Sequence, residues 1–324
     1  MVIKLSKKDR SILYQLNINS RQHAAKLAKE LKLSKQSVVY RIKNLTDKRI
    51  VTQFYTLVNF TALGYKPYKI FLRMNNLNRE QIQKFLEGLR KKEYVVWTVH
   101  CDGHFDVIIG LIAKNSEHFR GIYLDILDEN QEAIISSDHS TIISAHQKKK
   151  EYLADKAEKP ILNNFYANQP IEKIDKKDSQ ILSLLAFNSR LSIIDISRKI
   201  SLTPEGTRIR IKNLEKRNII MGSSILLDFN KIGFGGYKVL LKLRNKSQEG
   251  IKKLISFLLS YPKVLEVINV LGNWDIEFDL EVESINEFNS TITEIRNRFK
   301  NLILDCETLI KYEEHSYNYY PIKI

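Results

Sequence analysis

The chain has 324 residues, 43% apolar and 27% charged, which suits two or more folded domains with a sizeable core and excludes a disordered chain. No apolar run approaches ~18 residues, so no membrane-spanning helix is expected, and two cysteines, Cys101 and Cys306, cannot build a disulfide framework or a four-cysteine zinc site. A net charge of +15 calls for an acidic partner, nucleic acid or a membrane surface; Met1-Val2-Ile3-Lys4-Leu5-Ser6 carries no apolar leader core, so a cytoplasmic location is expected.

In chain order, Ser6-Lys7-Lys8-Asp9 has the form of a capping box with Asp in place of Glu, and Ile12, Leu13 and Leu16 follow at helical spacing. Asn19-Ser20 breaks that helix. A second helix shows Ala24, Leu27, Ala28 and Leu31 on one face, and Ser34 caps a third whose inward positions are Val38, Ile42 and Leu45. Residues 50–58 are rich in β-formers and read as a wing strand. Three helices and a wing with a short turn before the third helix predict a winged helix-turn-helix. Residues 68–74, 95–99, 107–112 and 134–143 then read as strands, and 79–91 and 116–127 as helices. The order β-α-β-β-α-β is the ferredoxin-like motif. Its sheet carries both helices on one face, so the other face needs a partner.

The chain then repeats itself. Lys8-Asp9, Asn19-Ser20-Arg21 and Arg41-Ile42-Lys43-Asn44-Leu45 recur as Lys177-Asp178, Asn188-Ser189-Arg190 and Arg210-Ile211-Lys212-Asn213-Leu214, always 169 positions on. Across 8–51 and 177–220, 15 of 44 positions are identical, against roughly three by chance for ordinary composition. Gly103-His104-Phe105-Asp106 aligns with Gly272-Asn273-Trp274-Asp275. The expected fold class is therefore α+β, a winged helix-turn-helix plus a ferredoxin-like domain, repeated twice. The expected divisions are a reader at 1–60, an effector and oligomerisation domain at 61–146, a linker at 147–176, a second reader at 177–229 and a second effector domain at 230–324. The linker is long enough to let the two bare sheets stack within one chain.

The charge follows this division: residues 1–60 carry +10 and 171–230 carry +4, whereas 61–146 carry −1 and 231–324 carry zero. Cations concentrated on two helix-turn-helix units point to double-stranded DNA. With Val38, Ile42 and Leu45 inward, a rotation of about 100° per residue turns Gln36, Ser37, Tyr40, Lys43 and Asn44 outward, with Arg41 flanking and Lys35 at the helix start. These side chains suit base edges and phosphates. The second copy keeps Thr207, Ile211 and Leu214 inward and presents Glu205, Gly206, Arg208, Ile209, Arg210, Lys212 and Asn213. Glu205 repels phosphate, so the second reader is expected to bind phosphate less or to read a different half-site.

Asp9-x-x-Ile12-Leu13, Asn19-Ser20-Arg21, Leu27-Ala28, Leu33-Ser34 with Val38 and Arg41-Ile42, Gly64, and Gly103-His104-Phe105-Asp106 together resemble the Lrp/AsnC (leucine-responsive, feast/famine) family of transcription regulators, twice over and across nearly the whole chain. The resemblance implies sequence-specific DNA binding, an amino-acid or other small effector held between effector domains, and assembly. Here that assembly is an intramolecular pseudo-dimer, with higher homo-oligomers built from it. It implies effector contact at Gly103, Asp106, Gly272 and Asp275, with His104 and Asn273 between them. No enzyme activity, cofactor, metal or membrane partner is expected. His100-Cys101-Asp102-Gly103-His104 is set aside as a metal site, since strand alternation sends His100 and Cys101 to opposite faces. Two alternatives stand: a tetrapyrrole enzyme like the siroheme decarboxylases on a similar paired scaffold, for which His100, His104 and His139 are the candidates, and an interaction scaffold that binds no DNA.

Overall fold

The computed structural model describes residues 2–75, 77–154, 162–166, 169–244, 246–315 and 317–322. The opening segment forms α1 (Lys7–Ile18), α2 (Ala24–Glu30) and α3 (Lys35–Asp47), followed by β1 (Val51–Val58). Ser6 caps α1 by accepting the Asp9 N–H at 3.1 Å, and Ser34 caps α3 by accepting that of Ser37 at 3.1 Å. Ile12, Leu13, Leu16, Leu27, Val38 and Leu45 form the small core between these helices, while Ile42 is only partly covered. The turn after α2 closes on Lys32 in the left-handed region, φ 52°, a conformation repeated at Ser201, φ 54°.

The neutral half follows as β2 (Lys66–Met74), α4 (Arg79–Arg90), β3 (Val95–Asp102), β4 (Val107–Ala113), α5 (Ser116–Asp128) and β5 (Ile134–Lys148). After β6 (Leu162–Tyr166) the second copy runs α6 (Lys176–Phe187), α7 (Ile193–Lys199), α8 (Pro204–Lys216), β7 (Ile220–Leu227), β8 (Gly235–Leu243), α9 (Gln248–Ser260), β9 (Val264–Gly272), β10 (Ile276–Val282), α10 (Ile285–Arg298) and β11 (Ile303–His315). Alternation decides which face of each sheet meets its helices. Ile70, Leu72, Ile109 and Leu111 pack with Ile82, Leu86 and Phe119 of α4 and α5, and Val239, Leu241, Phe278 and Leu280 pack with Leu254, Leu258 and Phe288 of α9 and α10. Each such buried side chain contributes about 1.5–3 kcal/mol.

The two sheets meet by their edges as well as their bare faces. The strand order is β2-β4-β3-β11-β8-β10-β9-β5-β6, and β5 also pairs with β2, so eight strands close into a ring with β6 attached outside it. Closure works because β5 and β11 outrun their own sheets: β5 pairs β2 through Thr141 and β9 from Ser140 onward. The two seams keep one register. Ser140 faces Gly272 in the first and Ile310 faces Asp102 in the second, and each slips by one residue at the equivalent point, between Ile142 and Ser144 and between Lys311 and Glu313. Closing a sheet on itself leaves no unpaired edge within the ring.

Two further features depart from the sequence reading. The strand after α3 finds its partner in the other copy, since β1 pairs antiparallel with β7. The segment read as linker begins inside β5, passes through a single 3-10 turn at Glu151–Leu153 and pairs as β6 along Ser144–Lys148. Leu153 is buried in the core of the first reader. That stretch of β5 had main-chain groups to satisfy, and the nearest chain satisfies them. Residues 155–161 and 167–168, in the same segment, lie outside the described residues.

Candidate nucleic-acid interface

The third helix of each reader presents its predicted face. On α3, Lys35, Gln36, Tyr40 and Lys43 are exposed, Tyr40 at 70%, and Ser37 and Asn44 are half-buried. On α8, Thr203 accepts the Gly206 N–H at 3.0 Å, and Pro204 occupies the first turn, where its missing N–H costs nothing. Glu205, Arg208, Ile209, Lys212 and Asn213 are exposed there. Arg208 donates to Glu205 at 3.0 Å, one turn away, so these two charges partly cancel before any ligand arrives. Lys35, Lys43 and Lys212 have no ion pair among the described residues.

Arg41 and Arg210 are corrections to the predicted face. Arg41 turns back to α1, donating to the Asp9 carboxylate at 2.7 Å and to Ser6 Oγ at 3.3 Å. Arg210 does the same in the second copy, reaching Asp175 at 2.7 Å and Asp178 at 2.8 Å. Burial works against the Asp9 charge, but the Ser6 hydroxyl and Arg41 prevail and hold its carboxyl below the usual aspartate range. The hydrogen bonds from Asp178 and Asp175 raise the Arg210 guanidinium further. Each arginine thus ties the third helix to the first, which accounts for the recurrence of both Asp and Arg at the same 169-residue offset.

The repeated Asn-Ser-Arg motif builds the contact between readers. Ser20 Oγ and Ser189 Oγ, equivalent atoms of the two copies, lie 2.7 Å apart and fully buried. Arg190 donates to the Ser20 carbonyl at 2.9 Å, and Arg21 donates to the Ser189 carbonyl. A contact in which residue i meets j while j meets i is the signature of a twofold axis, here a pseudo-axis within one chain. With the β1–β7 ribbon beside it, this seam fixes the spacing of α3 and α8.

The two loops expected to contact an effector are largely occupied by their own structure. Asp106 accepts the Met74 N–H at 2.7 Å and Asp275 accepts that of Leu243 at 2.8 Å, so each carboxylate ties its β-hairpin to the end of a neighbouring strand. Lys246 also pairs with Asp275 at 2.7 Å. A Cβ on Gly103, φ 139°, would stand 2.8 Å from Leu309, and one on Gly272 would stand 2.8 Å from the His139 carbonyl oxygen. These glycines therefore let one copy approach the other. His104 and Asn273 remain exposed at the loop tips, and Lys242 donates to Asn273 at 3.3 Å.

The sequence reading misses the ring interior altogether. Lys69 and Glu277 pair at 2.6 Å, both side chains fully buried. Lys238 lies between Asp279 and Glu277, and Lys311 meets Asp279 at 2.8 Å and Glu314 at 2.5 Å. Burial lowers the Lys69 ammonium, and Glu277 with Glu266 does not reverse that, whereas Lys238, equally buried, is raised by Asp279 and Glu277 together. Glu277, Asp279 and Glu281 alternate along β10 with Ile276, Phe278, Leu280 and Val282. That alternation was the available signal, but it reads equally well as a water-facing side.

The candidate histidines do not converge: His139 packs with Phe119 and Tyr123, His100 with Tyr312, and His104 with Phe105. Among the described residues no three His, Cys, Asp or Glu side chains are grouped as a metal site, and no helix is long and apolar enough to cross a membrane.

The family profile for winged helix-turn-helix DNA-binding domains matches residues 5–52 and 174–221. The chain is 31% identical over 149 residues to the transcriptional regulator AzlB of Bacillus subtilis, covering 46% of this chain and 94% of that protein. It is 28% identical over 145 residues to the glutamate uptake regulatory protein of Zymomonas mobilis, covering 44% and 87%. Among solved structures, the siroheme decarboxylase NirDL is similar over 97% of this chain and 96% of its own, with a TM-score of 0.61 and 10% identity, a likeness of fold alone.

Proposed function

The chain belongs to the Lrp/AsnC family of transcription regulators, and from that premise we propose that it is a sequence-specific regulator gripping double-stranded DNA with two unlike readers of one polypeptide. The observation that supports this best is the exposure of α3 and α8 on two units locked by the Ser20–Ser189 contact. Gln36, Ser37, Tyr40 and Asn44 would meet base edges while Lys35 and Lys43 meet phosphates; Glu205, Arg208, Lys212 and Asn213 would read a different half-site about one helical turn, or a multiple, away. Glu205 would accept from a cytosine amino group. The domain divisions at 1–60, 61–146, 177–229 and 230–324, and assembly beyond one chain, belong to this proposal. So does an effector at the loops, resting there on His104 and Asn273. Selection from random DNA, with and without an amino-acid mixture, tests it. Enrichment of two dissimilar half-sites at fixed spacing supports the reading; no enrichment, or retention insensitive to salt, overturns it.

A second reading, a tetrapyrrole enzyme, draws on the whole-chain likeness to NirDL. His100, His104 and His139 lie apart in this chain, which favours the first reading. Visible absorbance of the purified protein after incubation with an iron porphyrin separates the two.

A further inference from the structure

The ring closes, but the ends of its two long strands are covered differently. β5 leaves β2 at Thr141 and β11 leaves β8 at Lys311, and each runs on beside the opposite sheet, β5 along β9 and β11 along β3. Past that point the other side of β5 is taken by β6: Tyr166 faces Ser144, Phe165 faces Ala145 and Leu162 faces Lys148. Among the described residues no strand takes the equivalent place beside Tyr312 and Glu314. A groove of about 330 Å³ lies there instead.

The duplication matches the two places residue by residue. In the groove, Asp228, Asn230, Lys231, Tyr312, Glu313 and Glu314 stand where the first half has Asn59, Thr61, Ala62, Ile143, Ser144 and Ala145. In the first half β6 seals the surface: Phe165 stacks on Phe60 with ring centroids 6.0 Å apart, and Asn59, Thr61, Ala62 and Ala145 are buried. In the second half Asn230, Tyr312 and Glu313 are exposed. The opening residues of the chain do not stand in for β6. The Ile3 N–H donates to the Lys231 carbonyl at 2.7 Å, but the Glu172 N–H makes the same 2.7 Å bond to Ala62 with β6 also in place. A strand edge of this kind is a template on which another extended chain can add its main-chain hydrogen bonds.

Charge indicates what would fit. The six first-half positions are uncharged, and they hold the uncharged strand Leu162-Asn163-Asn164-Phe165-Tyr166. The second half has three acids against one lysine at those positions. Lys231 lies 3.7 Å from Asp228, Lys311 reaches Glu314 from behind the strand, and Glu313 accepts from neutral Gln83 at 3.1 Å, so the groove keeps an acidic rim. Cations directly across from Glu313 and Glu314 would add favourable cross-strand pairs, whereas acids there would be repelled. We propose that the edge of β11 at Tyr312–His315 docks an extended, basic segment of another polypeptide, added as a strand where the first half carries its own β6. Docking there does not require the chain to bind DNA.

The probe is a fluorescein-labelled peptide of residues 160–170 carrying Phe165→Lys and Tyr166→Lys, the positions across from Glu314 and Glu313. Titrated with the full chain and read by anisotropy, it should bind one per chain in the micromolar range, about fivefold or more tighter than the unsubstituted peptide. Adding Asn163→Pro and Asn164→Pro to the probe removes one N–H from each side of the strand and should abolish binding. Glu313→Lys in the full chain should weaken the probe at least fivefold with an unchanged unfolding midpoint, because that side chain is exposed. Hydrogen exchange at 312–315 should slow when the probe binds. The proposal is overturned if the probe does not bind in that range, if the proline peptide binds as well, or if the Glu313→Lys chain binds like the parent. It is also overturned if sedimentation shows a dimer of the chain that Glu313→Lys abolishes, which would make a second copy the occupant.

Discussion

The geometry separates two kinds of cation on α3 that a sequence cannot. Lys35 and Lys43 are exposed and without an ion pair among the described residues, whereas Arg41 is committed to Asp9 at 2.7 Å. Replacing both lysines by alanine should remove two phosphate contacts. Each contributes about 0.9 to the slope of log affinity against log salt, so the slope should become shallower by about 1.8. Raising salt fourfold would then cost the parent about twelvefold more affinity than the variant. Unfolding should hardly change, because both side chains are on the surface. Arg41→Ala should do the reverse: a loss of about 1 kcal/mol, between an exposed pair and a buried one, with the slope unaltered. Fluorescence anisotropy on selected DNA across a salt series, paired with urea denaturation, reads both quantities. If Arg41→Ala makes the slope shallower by about 1 at unchanged stability, the arginine leaves Asp9 for phosphate and the assignment is wrong.

Other outcomes follow from the same geometry. Glu277→Gln strands a fully buried lysine and should cost about 3–5 kcal/mol in denaturant, whereas Lys69→Met with Glu277→Leu should recover most of it; equal losses in both variants would show that Lys238, 3.7 Å from the same carboxylate, depends on Glu277 as much as Lys69 does. Gly103→Ala forces a Cβ onto Leu309 at φ 139° and should cost about 1–3 kcal/mol, partly relieved by Leu309→Ala. Because the Asp9 carboxyl titrates below its ordinary 3.8 in the folded chain, the stabilisation from its charge is complete at neutral pH and disappears as pH falls through the folded value. Arg41→Ala should therefore flatten the stability curve on that acid limb, and an unchanged limb would refute the linkage. Arg21→Ala with Arg190→Ala removes the crossed bonds beside Ser20 and Ser189 and should relax the preferred half-site spacing in a selection.

Much of this architecture was legible because periodicity and duplication are local signals. Val38 and Leu45, or Ile211 and Leu214, announce a buried helix face at any reading. The inward turn of Arg41 was not legible from helical rotation, which places a Cα direction but not the end of a long, flexible side chain. A different signal was present and unused: Asp9 with Arg41, and Asp178 with Arg210, recur as pairs. The pairing of β1 with β7 and the closure of the ring depend on contacts between segments roughly 170 residues apart, for which no local pattern exists. The acidic column of β10 was hidden for another reason. Alternating polar and apolar residues identify two faces but do not say which is wet, and here the polar face looks into the protein.

The fusion of two unlike halves has a consequence for how the molecule would lie on a promoter. A symmetric pair of subunits can be lifted off and turned end for end without changing a single contact. This chain cannot, since the end bearing Tyr40 and Lys43 differs from the end bearing Glu205 and Ile209. Its seat on an operator would have a heading, so that one flank of the polypeptide always points toward the gene and the other away from it.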